Sequence, residues 1–190
     1  MKNLRYFILI LLMSVSLMAT SLDLGNSIFY NDEGSINLAA DAGVAVRNMD
    51  SPYVLFVLYM SADEKINASI DREDVVLVHN DKEYKMPDLV EFRKNYNNEL
   101  RDQEMYSRLG KESLALSDMQ HFLFNYYDDF FPPLASGMLP VDQGSISTNF
   151  GFKSKAYFKN PGFKPGDMIV IKVRDKDDPD IWGSVVVELP

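Results

Sequence analysis

The chain of 190 residues contains no cysteine. This absence excludes disulfide bonds, thiolate catalysis, cysteine-ligated zinc and iron–sulfur clusters. The sequence also lacks the phosphate-binding patterns G-x-x-x-x-G-K and G-x-G-x-x-G, and the nucleophile pattern G-x-S-x-G. The sequence therefore gives no support to a cysteine-dependent enzyme, a nucleotide-binding enzyme or a serine hydrolase of the familiar kinds.

Positive charge is scarce. The chain has 19 Lys and Arg residues against 28 Asp and Glu residues, a formal net charge of −9. Basic charge supplies most of the affinity of nucleic-acid-binding proteins, so this composition argues against a nucleic acid as partner. Hydrophobic residues make up 46% of the chain and charged residues 25%, which is ordinary for a folded domain. The length suits a single domain.

The N-terminal segment 1–21 has the three parts of a secretory signal peptide. Lys2 and Arg5 precede an apolar stretch at 6–19, and small residues follow it. This stretch of about 14 residues is too short to span ~30 Å of hydrocarbon comfortably as a helix. We expect cleavage after residue 21 and export to an extracytoplasmic space, either periplasmic or secreted. The alternative is an uncleaved membrane anchor.

Several short segments have the composition of β-strands. Residues 53–60 are all apolar or aromatic, which favours a strand buried on both faces. Residues 74–78 and 82–85 are separated by an Asn-Asp turn, and 168–174 and 181–189 are the last two predicted strands.

The clearest alternation of apolar and polar residues lies at 145–159. Apolar side chains such as Phe152 alternate there with Lys153, Lys155 and Lys159. Because successive side chains of a strand point to opposite faces, this pattern predicts a strand with one solvent-exposed face.

A helical period interrupts the strands at about 87–127. Apolar residues recur at the i, i+3, i+7 and i+11 positions Leu89, Phe92, Tyr96 and Leu100. Pro87 suits the first turn of this helix, and Gly110 suits its C-terminal cap. A second helix is predicted to begin at Ser117 and to run through 121–127.

These elements predict a mainly β protein with one domain at 22–190. We expect an immunoglobulin-like antiparallel sandwich of two sheets, with an α-helical insert at about 87–127 between strands. Because the apolar strand 53–60 needs cover on both faces, the insert is expected to lie across the outer face of its sheet.

Three stretches carry a resemblance to a known family. They are 75–84 (VVLVHNDKEY), 163–167 (FKPGD) and the closing apolar strand 185–190 (VVVELP). Together they resemble bacterial exported immunoglobulin-like β-sandwich proteins of the telokin-like type, which carry the domain-of-unknown-function label 4352. The resemblance implies a fold and an extracytoplasmic location, and it supplies no catalytic residues.

Few residues are candidates for chemistry. His79 and His121 have no partner at metal-ligand spacing, so structural roles are expected for both. The loop Asp175–Asp180 holds four carboxylates in six residues. Such a loop suits either Ca²⁺ binding or a solvated hairpin tip, and the sequence leaves both open. No catalytic, cofactor-binding or metal-binding residue is assigned, and no cofactor is expected.

The predicted partner-binding residues are Lys153, Lys155, Tyr157 and Lys159. They would place cations and one amphipathic ring on the exposed face of an otherwise acidic protein. The alternative is an edge strand that its lysines protect from pairing. The expected function is an exported, non-enzymatic interaction or scaffold module of the cell envelope, with an unidentified protein or envelope polymer as partner. The competing hypothesis is a small hydrolase that acts on envelope or extracellular glycans through paired carboxylates.

Overall fold

The structure is a computed structural model, and it describes residues 21–62, 65–119, 122–126, 128–134 and 136–190. The predicted signal peptide therefore lies outside the described residues, except for its last residue, Ser21. His121 lies outside them as well. Signal cleavage and export stay predictions.

The described residues form twelve strands and four helices. The strands are β1 (Leu22–Gly25), β2 (Ile28–Asn31), β3 (Ile36–Asp41), β4 (Tyr53–Ala62), β5 (Ala68–Asp71), β6 (Val76–His79), β7 (Lys82–Lys85), β8 (Leu123–Asn125), β9 (Gln143–Ile146), β10 (Phe150–Lys159), β11 (Met168–Arg174) and β12 (Trp182–Glu188). The helices are α1 (Gly43–Arg47), α2 (Leu89–Asn95), α3 (Glu99–Leu109) and α4 (Glu112–Ala115), and a short 3₁₀ turn occupies Arg72–Asp74.

The strands are arranged in three sheets. The large sheet has the order β1-β2-β3-β4-β10-β8, the small sheet has the order β12-β11-β6-β7, and β5 pairs with β9 alone. Neighbouring strands are antiparallel except for β8 and β10, which run parallel. The prediction of a mainly β protein built from antiparallel sheets is confirmed.

Strand β4 lies at the centre of the large sheet, and all ten of its residues are buried. On one face, the Phe56 ring lies 6.2 Å from the Phe158 ring of β10. On the other face, the Tyr53 ring meets the Phe92 ring of α2 edge-on at 5.2 Å. The expectation that the apolar strand is covered on both faces, with helices on the outer side, is confirmed.

The helical insert consists of three short helices. Helix α2 begins after Asp88, whose carboxylate accepts the backbone N–H groups of Val90 and Glu91 at 2.8 and 3.1 Å. A side-chain acceptor at this position satisfies N–H groups that have no partner inside the helix. The prediction of a single helix through Leu100 is wrong, because the chain becomes extended at Tyr96 and because Leu100 in α3 is 50% exposed instead of sharing the apolar face of Phe92. Helix α3 ends at the predicted cap Gly110.

The second predicted helix, from Ser117 through 121–127, is wrong. Residues Leu123–Asn125 form β8, which pairs with the edge of β10 in register with Phe150 to Phe152. The absence of a side chain at Gly151 makes room for Phe124, because a Cβ there would lie only 2.5 Å from the Phe124 ring. Free backbone groups on that edge favour a strand over a helix in this segment.

The small sheet packs on the large sheet through β12. A Cβ added to Gly183 would lie 2.2 Å from the carbonyl oxygen of Ile36 in β3, so the two backbones approach closely only because this residue is glycine. The side-chain amide of Asn31 donates to the Ser184 carbonyl at 2.9 Å. This contact fixes the inner face of β12, and Trp182 on its outer face is 44% exposed.

Within the described residues, no helix has the length and apolar character needed to cross a membrane.

Candidate functional site

The predicted partner-binding residue Tyr157 is fully buried, which corrects the expectation of an exposed ring. Its ring centroid lies 4.5 Å from that of Phe92 and 5.2 Å from that of Phe131. Its hydroxyl has no hydrogen-bond partner among the described residues. Burial raises the pKa of this phenol, and the nearby carboxylates of Asp102 and Glu99 add to the rise. Tyr157 is a core residue.

Lys153 is also covered, with only 18% of its side chain exposed. Its Nζ lies 3.2 Å from Glu112 Oε1 in α4. The same atom lies 5.2–5.5 Å from the ring centroids of Tyr59, Tyr106 and Tyr126, which is cation–π distance. The lysine is therefore occupied by groups of its own chain.

Lys155 is paired with Asp129, and the side chains of both residues are nearly buried. The Asp129 carboxylate also accepts the backbone N–H of Lys155 at 2.9 Å. Of the four predicted partner-binding residues, Lys159 alone is exposed, at the end of β10.

The reason for the correction lies in the register of β10 on β4. Lys153 is opposite Tyr59, and Tyr157 is opposite Leu55. These β4 residues point to the face that the helical insert covers. The lysine face of β10 and the face of β4 that the helical insert covers are therefore the same side of the sheet. This side is not exposed to solvent.

Two nearly buried carboxyl groups lie between the large sheet and the helices. Burial raises the pKa of Asp41, although the backbone N–H groups of Gly43 and Lys111 partly offset the shift. Burial likewise raises the pKa of Asp102, against hydrogen bonds from Tyr96 (2.5 Å) and Asn48 (2.9 Å). Both residues are buried, Asp41 with 4% and Asp102 with 1% of its surface exposed.

The histidine expectation concerns one described residue, His79. Its Nε2 lies 3.1 Å from Asp167 Oδ2, and its ring meets that of Phe163 edge-on at 5.2 Å. These contacts join β6 to the turn before β11, which is a structural role. In the described parts of the chain, no group of three or more His, Cys, Asp or Glu side chains is placed to hold a metal ion.

The carboxylate of Asp175 in the acidic loop is used by backbone groups. Its Oδ2 accepts the Ser69 N–H at 2.6 Å, and its Oδ1 accepts the N–H groups of Asp177 and Asp178 at 2.9 and 2.7 Å. Burial alone raises the pKa of this carboxyl group, but these three N–H groups outweigh it and lower the pKa. Asp175 therefore holds the hairpin tip against β5.

Replacing Asp175 with alanine should lower the free energy of unfolding by about 1–3 kcal/mol at neutral pH, because three partly buried N–H groups lose their charged acceptor. A carboxyl group with a lowered folded-state pKa stabilises the fold above its unfolded pKa, and this contribution disappears as the pH falls through the folded pKa. Urea unfolding at about pH 7 and about pH 2 measures both effects, with the exposed Asp177→Ala as control. Equal losses at the two pH values would contradict this role.

The best exposed candidate site is a groove of about 400 Å³ on the outer face of the small sheet. Strands β11 and β12 form its floor, and the turn at 72–74 and β7 contribute to its sides. Its lining residues are Asp74, Val76, Glu83, Lys172, Val173, Arg174, Pro179, Trp182, Gly183 and Ser184. We call it the Trp182 groove.

The register of the small sheet fixes the arrangement within the Trp182 groove. Trp182 is directly opposite Arg174, and Ser184 is directly opposite Lys172. Cβ atoms of such cross-strand pairs lie about 4.5–5.5 Å apart. Arg174 Nη2 is 3.4 Å from Asp74 Oδ1, whereas Lys172 is exposed and forms no ion pair with any described residue.

The electrostatic character of this groove differs from that of the whole chain. Two cations (Lys172 and Arg174) and two anions (Asp74 and Glu83) line it, so their formal charges cancel. The chain as a whole carries −9. An anionic group in the groove thus meets less repulsion than the net charge of the chain alone would produce.

A second exposed surface lies beside β8 and encloses a shallow cavity of about 450 Å³. It is mainly apolar, and its exposed side chains include Leu123, Tyr126 and Phe150. It lacks the charged groups that give the Trp182 groove its specific character.

Sequence reasoning missed the residues of the Trp182 groove. A signal was present, since the alternation at 168–174 places Lys172 and Arg174 on one face of β11. The strand was predicted from the sequence without an assignment of its faces. The hairpin connection to 181–189 would then have placed the only tryptophan of the chain opposite Arg174.

Comparison of the chain with family models, curated proteins and solved structures gave no match.

Proposed function

We propose that this protein is an exported, non-enzymatic binding module of the cell envelope, and that it binds its partner in the Trp182 groove. The observation that carries the proposal is the exposed indole of Trp182, set in a concave surface among polar groups of both signs. Concave sites that combine an apolar face with a few polar groups are the usual form of ligand pockets. Tryptophan and arginine are also common anchors of binding energy.

The non-enzymatic part of the proposal draws support from where the perturbed acids lie. Catalytic acids usually combine a shifted pKa with an open cleft. The carboxyl groups with a raised pKa are instead buried, that of Asp41 at the end of β3 and that of Asp102 on the inner side of α3. The groove does hold two carboxylates, Asp74 and Glu83, but Asp74 is paired with Arg174. A glycan hydrolase is therefore the less supported alternative.

The family and compartment are part of the same proposal. The signal-peptide pattern at 1–21 supports export, and the two mainly antiparallel sheets are compatible with an immunoglobulin-like, telokin-like sandwich. The strand order differs from that of immunoglobulin domains, since β1 to β4 are consecutive in one sheet.

Photo-crosslinking in the producing cells tests the use of the groove. Pro179, an exposed residue that lines the groove, is replaced by the photoreactive residue p-benzoylphenylalanine, so that Trp182 stays in place. The control carries the same residue at Tyr126, which is also exposed and lies on the surface beside β8. We expect a discrete adduct from position 179 and none of the same mass from position 126.

A charge reversal adds a second readout to this experiment. Lys172→Glu in the groove should reduce the yield of the adduct, because it places a further acid in an acidic protein. Lys159→Glu makes the same change of net charge at the end of β10 and should leave the yield unchanged. Identical adducts from both positions, or none from position 179, would overturn the proposal.

A further inference from the structure

Two features of the Trp182 groove restrict the chemistry of its ligand. The first is the flat apolar face of the Trp182 indole, which is exposed at the end of a row of polar side chains. A ligand that fits such a site has a flat apolar face of its own and hydrogen-bonding groups around its edge. A pyranose ring has this form, since its C–H groups form faces and its hydroxyls project from the rim.

The second feature is the supply of hydrogen-bonding groups around the indole. Asp74 and Glu83 are acceptors, Lys172 and Arg174 are donors, and the Ser184 hydroxyl is both. Sugar hydroxyls donate and accept at once, so they match a rim that contains both kinds of group. A volume of about 400 Å³ is at the lower end of the range for small-molecule sites and suits one or two sugar rings.

The charge of Lys172 narrows the choice further. Lys172 lies two residues from Arg174 on the same face of β11, roughly 7 Å away along the strand. Arg174 is already paired with Asp74, whereas Lys172 has no ionic partner among the described residues. An anionic group on the ligand would give Lys172 an ionic partner. Hydrogen bonds to charged groups are stronger than those between neutral groups.

We propose that the Trp182 groove binds a carboxylated saccharide, with the sugar ring on the indole and the carboxylate at Lys172. The proposal rests on the proposed function, because it names the ligand class of the same groove. Trp182 supplies the stacking face, Lys172 the charge, and Asp74, Glu83 and Ser184 the contacts to hydroxyl groups.

The chain itself supplies the reporter for the test, because Trp182 is its only tryptophan. Intrinsic fluorescence of the purified protein is titrated with the trimer of galacturonic acid. Two matched probes are the uncharged galactose trimer and triglutamate, an acidic peptide without a sugar ring. We expect a saturable change with the acidic sugar, and binding at least about tenfold weaker for each of the other two probes.

Calorimetry of variants assigns the residues. Trp182→Ala should weaken binding of the acidic trimer by about tenfold or more. Lys172→Glu should weaken it similarly, and added salt should weaken binding to the parent protein. Lys159→Glu, with the same change in net charge, should bind like the parent. Far-ultraviolet circular dichroism checks that each variant keeps the parent fold.

Each other result overturns the inference in a specific way. Equal binding of the neutral trimer would show that the carboxylate is not recognised. Equal binding of triglutamate would show that the sugar ring is not recognised. If binding survives Trp182→Ala, the binding site does not lie in the Trp182 groove. If none of the probes binds while position 179 still gives a crosslink, the ligand class is wrong and the proposed function stands. Absence of the crosslink would contradict both the ligand class and the proposed function.

Discussion

Replacing Phe92 with alanine should lower the free energy of unfolding by about 3–5 kcal/mol. Phe92 is fully buried, and its ring centroid lies within 5.4 Å of four other aromatic rings, those of Tyr53, Tyr96, Phe131 and Tyr157. Loss of this ring removes its transfer energy and leaves a cavity that rigid aromatic neighbours fill poorly. The free energy of unfolding of a typical domain is only about 5–15 kcal/mol, so the variant should be severely destabilised.

Two further variants make this prediction specific. Val90→Ala changes a residue of the same helix that is 77% exposed, and it should shift stability by less than about 0.5 kcal/mol. Tyr157→Phe removes a buried hydroxyl that has no hydrogen-bond partner among the described residues, so stability should stay equal or rise. Urea unfolding followed by tyrosine fluorescence or circular dichroism measures all three.

This set also tests the placement of the helical insert. If the insert did not pack on the large sheet, Phe92→Ala would behave like Val90→Ala. A loss of less than about 1 kcal/mol for Phe92→Ala would therefore contradict the packing described for α2 on β4.

The sequence was sufficient to predict those elements whose signal is local. Residues 53–60 are apolar throughout, and the structure places them in β4 with both faces covered. The strands predicted at 168–174 and 181–189 were likewise correct, since β11 and β12 occupy these segments and pair over seven residues. In both cases the pattern within the strand determines its environment, and no distant partner is needed.

Prediction failed where a distant partner decides the structure. Residues 122–126 have a composition that suits a helix or a strand, and the free edge of β10 decides for the strand. That edge is provided by residues 27 positions further along the chain, and single-sequence patterns contain no information on it. Tertiary context commonly overrides local propensity in this way.

The prediction that the lysine face is exposed was wrong for a related reason. Alternation at 145–159 correctly indicates that Lys153, Lys155 and Tyr157 share one face, but it contains no information on what covers that face. The partners are Glu112 and Asp129, which lie 41 and 26 residues before the lysines that they neutralise. A buried lysine paired with an acid has the same sequence pattern as an exposed lysine.

Replacing Asp129 with alanine should also lower the free energy of unfolding by about 3–5 kcal/mol, the usual cost of removing one partner from a buried ion pair. The variant leaves the charge of Lys155 in a site where only 12% of that side chain is exposed. It also removes the acceptor of Phe131 N–H (3.1 Å), Ser154 O–H (3.0 Å) and Lys155 N–H (2.9 Å).

The ion pair and the hydrogen bonds can be separated by two further variants. Asp129→Asn keeps an acceptor oxygen for the three N–H and O–H donors but loses the charge opposite Lys155. Its loss should be smaller than that of Asp129→Ala, because the segment 129–131 stays attached to the edge of β10. Adding Lys155→Met to Asp129→Asn removes the unpaired cation and should recover part of the stability.

Salt dependence gives an independent check on burial. A pair as well covered as Lys155 and Asp129 is weakly screened by salt, whereas the exposed pair of Arg108 and Glu104 is strongly screened. Destabilisation by Asp129→Ala should therefore be nearly the same at low and high ionic strength, and Glu104→Ala should cost less than about 1 kcal/mol. If Asp129→Ala proved as mild as Glu104→Ala, this side of β10 would be open to solvent, and Lys155 would again be available to a partner.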